Sequence, residues 1–196
     1  AIKKASEPLH IQWNPATDEV EVVNYSAGTH KGLTAKVQIL NMDASVAWEK
    51  EATVDSNEDT TNKCIKLAFP ANLSKVHFIK MVLTENGKVI SDNFYHRSLE
   101  ENNYQDLRQL AKVALQSTTT VDKNADGTWS AVSVIENKTS TPALMIRLNV
   151  VGSKDGQQLL PVFYSDNYFS LLPGEKKEVR MSWRDEDTRG NEGKVL

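Results

Sequence analysis

Residues 76–90 read VHFIKMVLTENGKVI, and this stretch decides the fold. Val76, Phe78 and Lys80 alternate with His77, Ile79 and Met81, so both faces of the run carry apolar residues. A period of two is the spacing of side chains along a β-strand, and apolar residues on both faces predict a central strand rather than an edge. Asn86-Gly87 then separates Val82-Leu83-Thr84 from Val89-Ile90. A two-residue type I′ turn needs positive φ at both central positions, which Asn and Gly adopt at least cost. The pair therefore predicts an antiparallel hairpin.

The same rhythm continues outward in both directions. Residues 18–24, DEVEVVN, set Val20 and Val22 against Glu19, Glu21 and Val23. Residues 33–42 set Leu33, Ala35, Val37 and Ile39 against Thr34, Lys36 and Gln38. Further strands are predicted over 46–54, 64–69, 88–95, 113–121, 128–136, 143–151, 159–164, 168–172 and 176–183. Turn signals punctuate them: Asn14-Pro15, Ser26-Ala27-Gly28, the polar run 55–62, Phe69-Pro70 and Pro173-Gly174. The rhythm breaks at 98–106, which is polar and acidic, before Leu107, Leu110, Ala111 and Ala114 appear at helical spacing. That segment is too brief for a stable helix and reads as a connector. The expected fold is all-β: two tandem immunoglobulin-like antiparallel β-sandwiches, residues 1–98 and 99–196. Lys194-Val195-Leu196 looks like the start of a further strand, so the second sandwich is expected to lack its last strand and the chain to be a piece of a longer one.

Composition narrows the function classes. The 196 residues are 39% hydrophobic and 25% charged, and 23 basic against 26 acidic side chains leave a net charge of -3. Residues 1–98 carry 11 basic and 12 acidic side chains and the remainder 12 and 14, so neither half is a charged arm. This balance argues against a nucleic-acid partner. No run approaches the ~18 apolar residues of a membrane span, and Ala1-Ile2-Lys3-Lys4 has no signal-peptide apolar region. No membrane partner is expected. The single cysteine, Cys64, has no internal disulfide partner, and no Cys/His cluster has the spacing of a zinc site, so no cofactor is expected.

Few constellations suggest chemistry. Asp122-Lys123-Asn124-Ala125-Asp126-Gly127 fits the first six positions of an EF-hand loop, but the twelfth is Ser133 and the flanks read as strands. A polar hairpin tip is the favoured reading, with calcium the alternative. His10, His30, His77 and His96 lack metal-pair spacing and read as surface or rim residues, and Cys64 reads as a packed thiol. The nucleophile motif GxSxG, the dinucleotide motif GxGxxG and the P-loop are absent, and no carboxylate pair stands out. Trp13, Trp48, Trp129 and Trp183 are candidate stacking residues, with Trp129 and Trp183 read as core. The aromatic run Phe163, Tyr164, Tyr168 and Phe169 surrounds the polar turn Ser165-Asp166-Asn167 and either folds over the sandwich end or docks on a neighbour. Glycosylation sequons occur at Asn24, Asn72 and Asn137, a number close to chance for this composition.

Residues 160–175, LPVFYSDNYFSLLPGE, resemble the C-terminal Ig-like domain of glycoside hydrolase family 2, among its β-mannosidases and exo-β-glucosaminidases. There a phrase of the form P-V-F-W-S-D-N-Y-x-S-L-L-P-G-E precedes a strand. Residues 91–98, SDNFYHRS, resemble the end of the preceding sandwich, and 104–110, YQDLRQL, resemble the joint before the last domain. The likeness spans most of 90–183; in 1–89 only the sandwich rhythm agrees. It implies a much larger exo-acting hydrolase whose acid/base and nucleophile glutamates lie on a (β/α)₈ barrel. No βα alternation occurs here, so no catalytic residue carries over. The expected role is a non-catalytic accessory region that packs on the barrel of the same parent chain and meets carbohydrate only through that parent. The alternative is an independent carbohydrate-binding or adhesion module. Phe163, Tyr164, Asp166, Asn167, Tyr168 and Phe169 are the candidate loop for domain contact or for walling the substrate. Sugar specificity, oligomeric state and compartment are left open, a secreted or periplasmic parent being one reading.

Overall fold

In the computed structural model, which describes residues 6–196, seven strands precede residue 99. They are β1 (Leu9–Asn14), β2 (Glu19–Asn24), β3 (His30–Asn41), β4 (Val46–Ser56), β5 (Thr60–Lys66), β6 (Val76–Glu85) and β7 (Lys88–Ser98). They form two antiparallel sheets, in the orders β1-β2-β5 and β4-β3-β6-β7. The predicted faces are the buried ones. Leu33, Ala35, Val37 and Ile39 of β3 and Ile79, Met81 and Leu83 of β6 share one core with Ile11, Val20, Val22 and Ile65. Each such side chain contributes about 1.5–3 kcal/mol by leaving water. Strand β6 lies between β3 and β7, and its outward Phe78 is also buried, 5.2 Å from Phe94 and 5.4 Å from His96 between ring centroids. Asn86 and Gly87 both have positive φ, 50° and 77°, and Glu85 pairs with Lys88 across the turn, as a type I′ hairpin requires.

Two local findings differ from the sequence reading, and a third, Cys64, agrees with its reading as a packed thiol. Strand β1 was not anticipated, although Leu9, Ile11 and Trp13 alternate with His10 and Gln12; it pairs with β2 along all six residues. His77 and His10 are buried rather than on a rim. The His77 Nδ1 lies 3.2 Å from the Ser74 carbonyl, and its Nε2 has no hydrogen-bond partner among the described residues. Burial depresses its pKa. Cys64 is the extra residue of a bulge between the Val20–Ile65 and Glu21–Lys63 pairs. Its Sγ donates to the Val20 carbonyl at 3.3 Å, and burial pushes the thiol up to about 11, so it stays protonated and inert as a nucleophile.

The connector contains one 3₁₀ turn, Gln105–Gln109, in place of a longer helical run. The chain divides into two compact units, Ala1–Gln109 and Leu110–Leu196, so the connector residues group with the first. The second unit contains β8 (Gln116–Lys123), β9 (Thr128–Glu136), β10 (Ala143–Ile146), β11 (Val150–Gly152), β12 (Phe163–Tyr164), β13 (Phe169–Leu171), β14 (Lys176–Arg184) and β15 (Gly193–Val195). A four-stranded sheet, β12-β14-β9-β8, is accompanied by the pairs β10-β13 and β11-β15, all antiparallel. Their common core includes Ala131, Ile135, Val150, Leu171, Val179, Met181 and Trp183. The expected strand over 143–151 is divided at 147–149, where the Leu148 amide and carbonyl bond to the Asn167 side chain, and within β10 Met145 takes a left-handed φ of 54° where the β10–β13 register shifts. The terminal segment is a strand through Val195, paired with β11.

The EF-hand-like residues form the β8–β9 hairpin tip. Asp122 and Lys123 are strand residues opposite Ser130 and Trp129. Asp126 Oδ1 accepts from the Thr128 amide at 3.0 Å and hydroxyl at 2.6 Å, an internal turn bond. Two of the three sequon asparagines are buried structural residues. Asn24 Nδ2 donates to the Gly28 carbonyl at 2.7 Å, and Asn137 Nδ2 donates to the Thr141 and Leu171 carbonyls at 2.8 and 3.0 Å. Asn72 is exposed. No helix of the described residues is long and apolar enough to cross a membrane.

Trp183 anchors the end of the second unit. It stacks on Trp129, its cross-strand partner, with 6.4 Å between centroids and 4° between planes. Trp129 Nε1 donates to Asp185 at 2.7 Å, and the other Asp185 oxygen pairs with Lys123 at 2.8 Å. Gly193 of β15 lies against the indole: a Cβ there would overlap Trp183 Cζ2 and fall 3.1 Å from Val150 Cγ1. Gly193→Ala should therefore destabilise the second unit by about 1–3 kcal/mol through overpacking, read as a lower thermal midpoint. Gly127→Ala is no suitable control, because its φ is positive; an exposed Thr118→Ala change should leave the midpoint within experimental error.

His30 supplies a pH test of the first unit. Its Nδ1 lies 2.8 Å from Glu85 and its Nε2 3.0 Å from the Ala27 carbonyl, so acceptors face both ring nitrogens. Only the imidazolium donates from both, and the Glu85 bond raises the His30 pKa. A raised folded pKa means that this stabilisation is complete below the unfolded value near 6.5 and is lost as pH rises through the folded value. The midpoint gap between wild type and His30→Gln should be widest near pH 6 and close toward pH 8.5. A gap independent of pH would contradict the pairing.

Candidate functional site

The aromatic loop is built from two strands that belong to different sheets. Strand β12 pairs with β14, with Phe163 opposite Ser182 and Tyr164 opposite Met181, while β13 pairs with β10. Residues 165–168 therefore cross from one sheet to the other at the rim of the second unit. Period two turns Tyr164 inward with buried Met181 and leaves Phe163 outward beside exposed Ser182. The Tyr164 hydroxyl accepts from the Val150 amide of β11 at 3.3 Å, a bond between sheets, and burial raises its pKa.

The polar residues of the loop hold it in place. The Ser165 amide donates to the Arg180 carbonyl at 2.8 Å, and its Oγ accepts from the Arg180 amide at 2.9 Å, extending the β12–β14 pairing. Asp166 forms an ion pair with Lys177 at 2.5 Å, both side chains about three-quarters covered, and its Oδ1 accepts from the Asn167 amide at 2.9 Å. Lys177 Nζ also sits 5.2 Å from the Phe169 ring centroid, and Phe169 is buried in the core. Asn167 acts as a substitute strand residue. Its Oδ1 accepts from the Leu148 amide at 2.8 Å and its Nδ2 donates to the Leu148 carbonyl at 3.0 Å. Further on, Pro173-Gly174 forms a turn in which the Glu175 amide donates to the Leu172 carbonyl at 3.0 Å. Gly174 supplies the φ of 79° that a type II turn demands.

Of the six sequence-nominated residues, four are thus engaged within the unit: Tyr164, Asp166, Asn167 and Phe169. Phe163 and Tyr168 remain, 68% and 55% exposed. Tyr168 has φ 60°, a left-handed conformation that costs a bulky side chain about 1–3 kcal/mol and persists only where neighbours enforce it. The neighbour is Asn167, whose bonds to Leu148 fix the backbone on both sides of the crossing. Two further residues at this rim escaped the sequence reading. Arg147 places its guanidinium carbon 5.9 Å from the Tyr168 ring centroid, and Met145 is 58% exposed at its own left-handed position. Their only signal in the sequence was an exposed-looking Met-x-Arg inside an apolar run.

A second aromatic cluster closes one end of the first unit. The Arg97 guanidinium carbon lies 3.9 Å from the Phe69 centroid and 5.5 Å from that of Trp13. Trp13 meets Tyr95 edge-on at 5.8 Å, and Phe69 meets His77 at 6.0 Å. These contacts join β1, β6, β7 and the loop after β5, and act as packing at the open end of the core. Among the described residues, no group of three or more His, Cys, Asp or Glu side chains is placed to hold a metal ion.

Comparison with known proteins accords with this architecture. A family model described as the exo-β-D-glucosaminidase Ig-fold domain matches residues 93–196, more than half of the chain. An exo-β-D-glucosaminidase of Streptomyces avermitilis is 32% identical over 217 residues, spanning 98% of this chain and 24% of that protein. One from Amycolatopsis orientalis is 30% identical, spanning 98% of this chain and 21% of its own length. The crystal structure of an exo-chitosanase from Amycolatopsis orientalis superposes with a TM-score of 0.90 at 28% identity, covering 98% of this chain and 25% of that one. A β-D-mannosidase from Dictyoglomus thermophilum, 14% identical with a TM-score of 0.63, shares the fold. The chain spans about a quarter of the length of these glucosaminidase relatives. By the match over residues 93–196 and the identity over nearly its whole length, the chain belongs to the exo-β-D-glucosaminidase Ig-fold family.

Proposed function

We propose that the chain is the non-catalytic C-terminal accessory region of a family 2 exo-glycosidase of the exo-β-glucosaminidase type. In this reading it packs on and stabilises a catalytic (β/α)₈ barrel in the same polypeptide. The observation that carries the reading is proportion: almost all of this chain aligns with about a quarter of glucosaminidases, which leaves ample length for a separate catalytic domain. The chemistry of the loop agrees. A glycosidase holds two accessible carboxyl groups ~5–10 Å apart across the scissile bond. Here Asp166 is neutralised by Lys177, Glu175 accepts from the Leu172 amide at 2.9 Å, and Glu178 pairs with Arg180 at 2.9 Å. These carboxylates serve the fold. The relatives named for glucosamine favour a β-linked amino sugar as the substrate of the parent protein, with β-mannosides as the other class.

The purified chain should leave an aryl β-D-glucosaminide unhydrolysed above the buffer rate and give flat calorimetry with glucosamine oligomers. Removal of residues 110–196 from the full-length protein should lower its thermal midpoint. Hydrolysis by the chain alone, or a deletion without effect on the full-length protein, would overturn the proposal. Millimolar sugar binding by the chain would favour an independent carbohydrate-binding module instead.

A further inference from the structure

Three unusual features meet at one rim of the second unit. Met145 and Tyr168 are the only large apolar residues with positive φ among the described residues, and both are more than half exposed. The other non-glycine residues in that conformation are Asp, Asn, Ala and Arg. Arg147, two residues after Met145, is exposed, holds its guanidinium carbon 5.9 Å from the Tyr168 ring centroid and forms no ion pair among the described residues. The Asn167–Leu148 clamp holds together the backbone segments that carry Arg147 and Tyr168. The backbone bonds of Asn167 hold the loop in place, but the Met145 and Tyr168 side chains themselves stay more than half exposed. Strain of this kind is maintained where it serves a contact.

The composition identifies the contact. Tyr, Arg and Met are enriched at the centres of protein interfaces, and a backbone already held in place loses little freedom on binding. Building on the accessory role above, we propose that Met145, Arg147 and Tyr168 form the surface through which the second unit docks on the catalytic domain of the parent polypeptide, outside residues 1–196. About three quarters of the length of the glucosaminidase relatives lies outside the region this chain matches, so an occupant of the right size exists in the same molecule. The uncompensated guanidinium specifies its chemistry: an apolar patch that presents a carboxylate to Arg147. Phe163 lies apart from this surface, outward on the four-stranded sheet beside Ser182.

Peroxide oxidation read by peptide mass spectrometry tests the docking surface directly. Met145 should oxidise at least tenfold more slowly in the full-length protein than in the 196-residue chain, with radical footprinting of Phe163 as the comparison. Tyr168→Asn provides a second arm, because Asn tolerates the left-handed conformation. It should leave the midpoint of the chain alone unchanged or raised, yet lower that of the full-length protein; Arg147→Glu should lower the latter as well. Equal Met145 oxidation in both proteins while Phe163 is protected would overturn this surface and leave the accessory role standing. Equal losses of midpoint in both proteins for Tyr168→Asn would make Tyr168 a packing residue and overturn the proposal. Loss of protection everywhere, together with a deletion of 110–196 that costs the full-length protein nothing, would overturn both readings.

Discussion

A two-layer β-structure must hide one face of each sheet against the other, and this constraint governs both units. In the first, Leu33, Ala35, Val37 and Ile39 have no exposed surface, opposite Val20 and Val22 of the facing sheet. A slip of one residue would turn Lys36 and Gln38 inward and leave charge and amide unpaired in an apolar core. Register is therefore not free, and neither are the positions of the turns between strands. In the second unit the same constraint acts through Val179, Met181 and Trp183. Trp183 is large enough to reach β15 and to demand a glycine there, so the core also dictates what the terminal strand can be.

The rim loop follows from that rigidity. Because β12 and β13 belong to different sheets, residues 165–168 must cross the edge of the sandwich with few backbone partners of their own. Ser165, Asp166 and Asn167 supply the missing bonds from their side chains, the last by pairing with both polar groups of Leu148. A polar phrase that looks like chemistry is thus architecture. What it leaves exposed is Tyr168, with the Arg147 guanidinium carbon 5.9 Å from its ring centroid.

Charged and titratable groups divide along similar lines. His30 is held toward its charged form by Glu85 and the Ala27 carbonyl, whereas burial drives His77 and His96 toward neutrality. Arg97 is accommodated by aromatic faces instead of a carboxylate. In the first unit these groups are thus placed by local packing.

Much of the fold was legible in the sequence. Alternation over 18–24, 33–42 and 76–84, with the Asn86-Gly87 turn, identified strands, faces and a hairpin, because side-chain direction and turn dihedrals are local properties. The phrase over 160–175 was likewise sufficient to point to the family. Local pattern did not separate β10 from β11, since the break at 147–149 follows from the bonds of the Leu148 backbone to Asn167, a residue distant in sequence. Nor did it bury His77 or supply the internal partners of Asp166 and Asn167, because Ser74, Lys177 and Leu148 are brought to them by strand packing. The sequence by itself determined the antiparallel strands, their inward faces and the kinship. Only the tertiary structure decided which residues of the aromatic loop stay exposed, Phe163 and Tyr168, and that Arg147 stands near Tyr168, because exposure depends on what the folded neighbours have already covered.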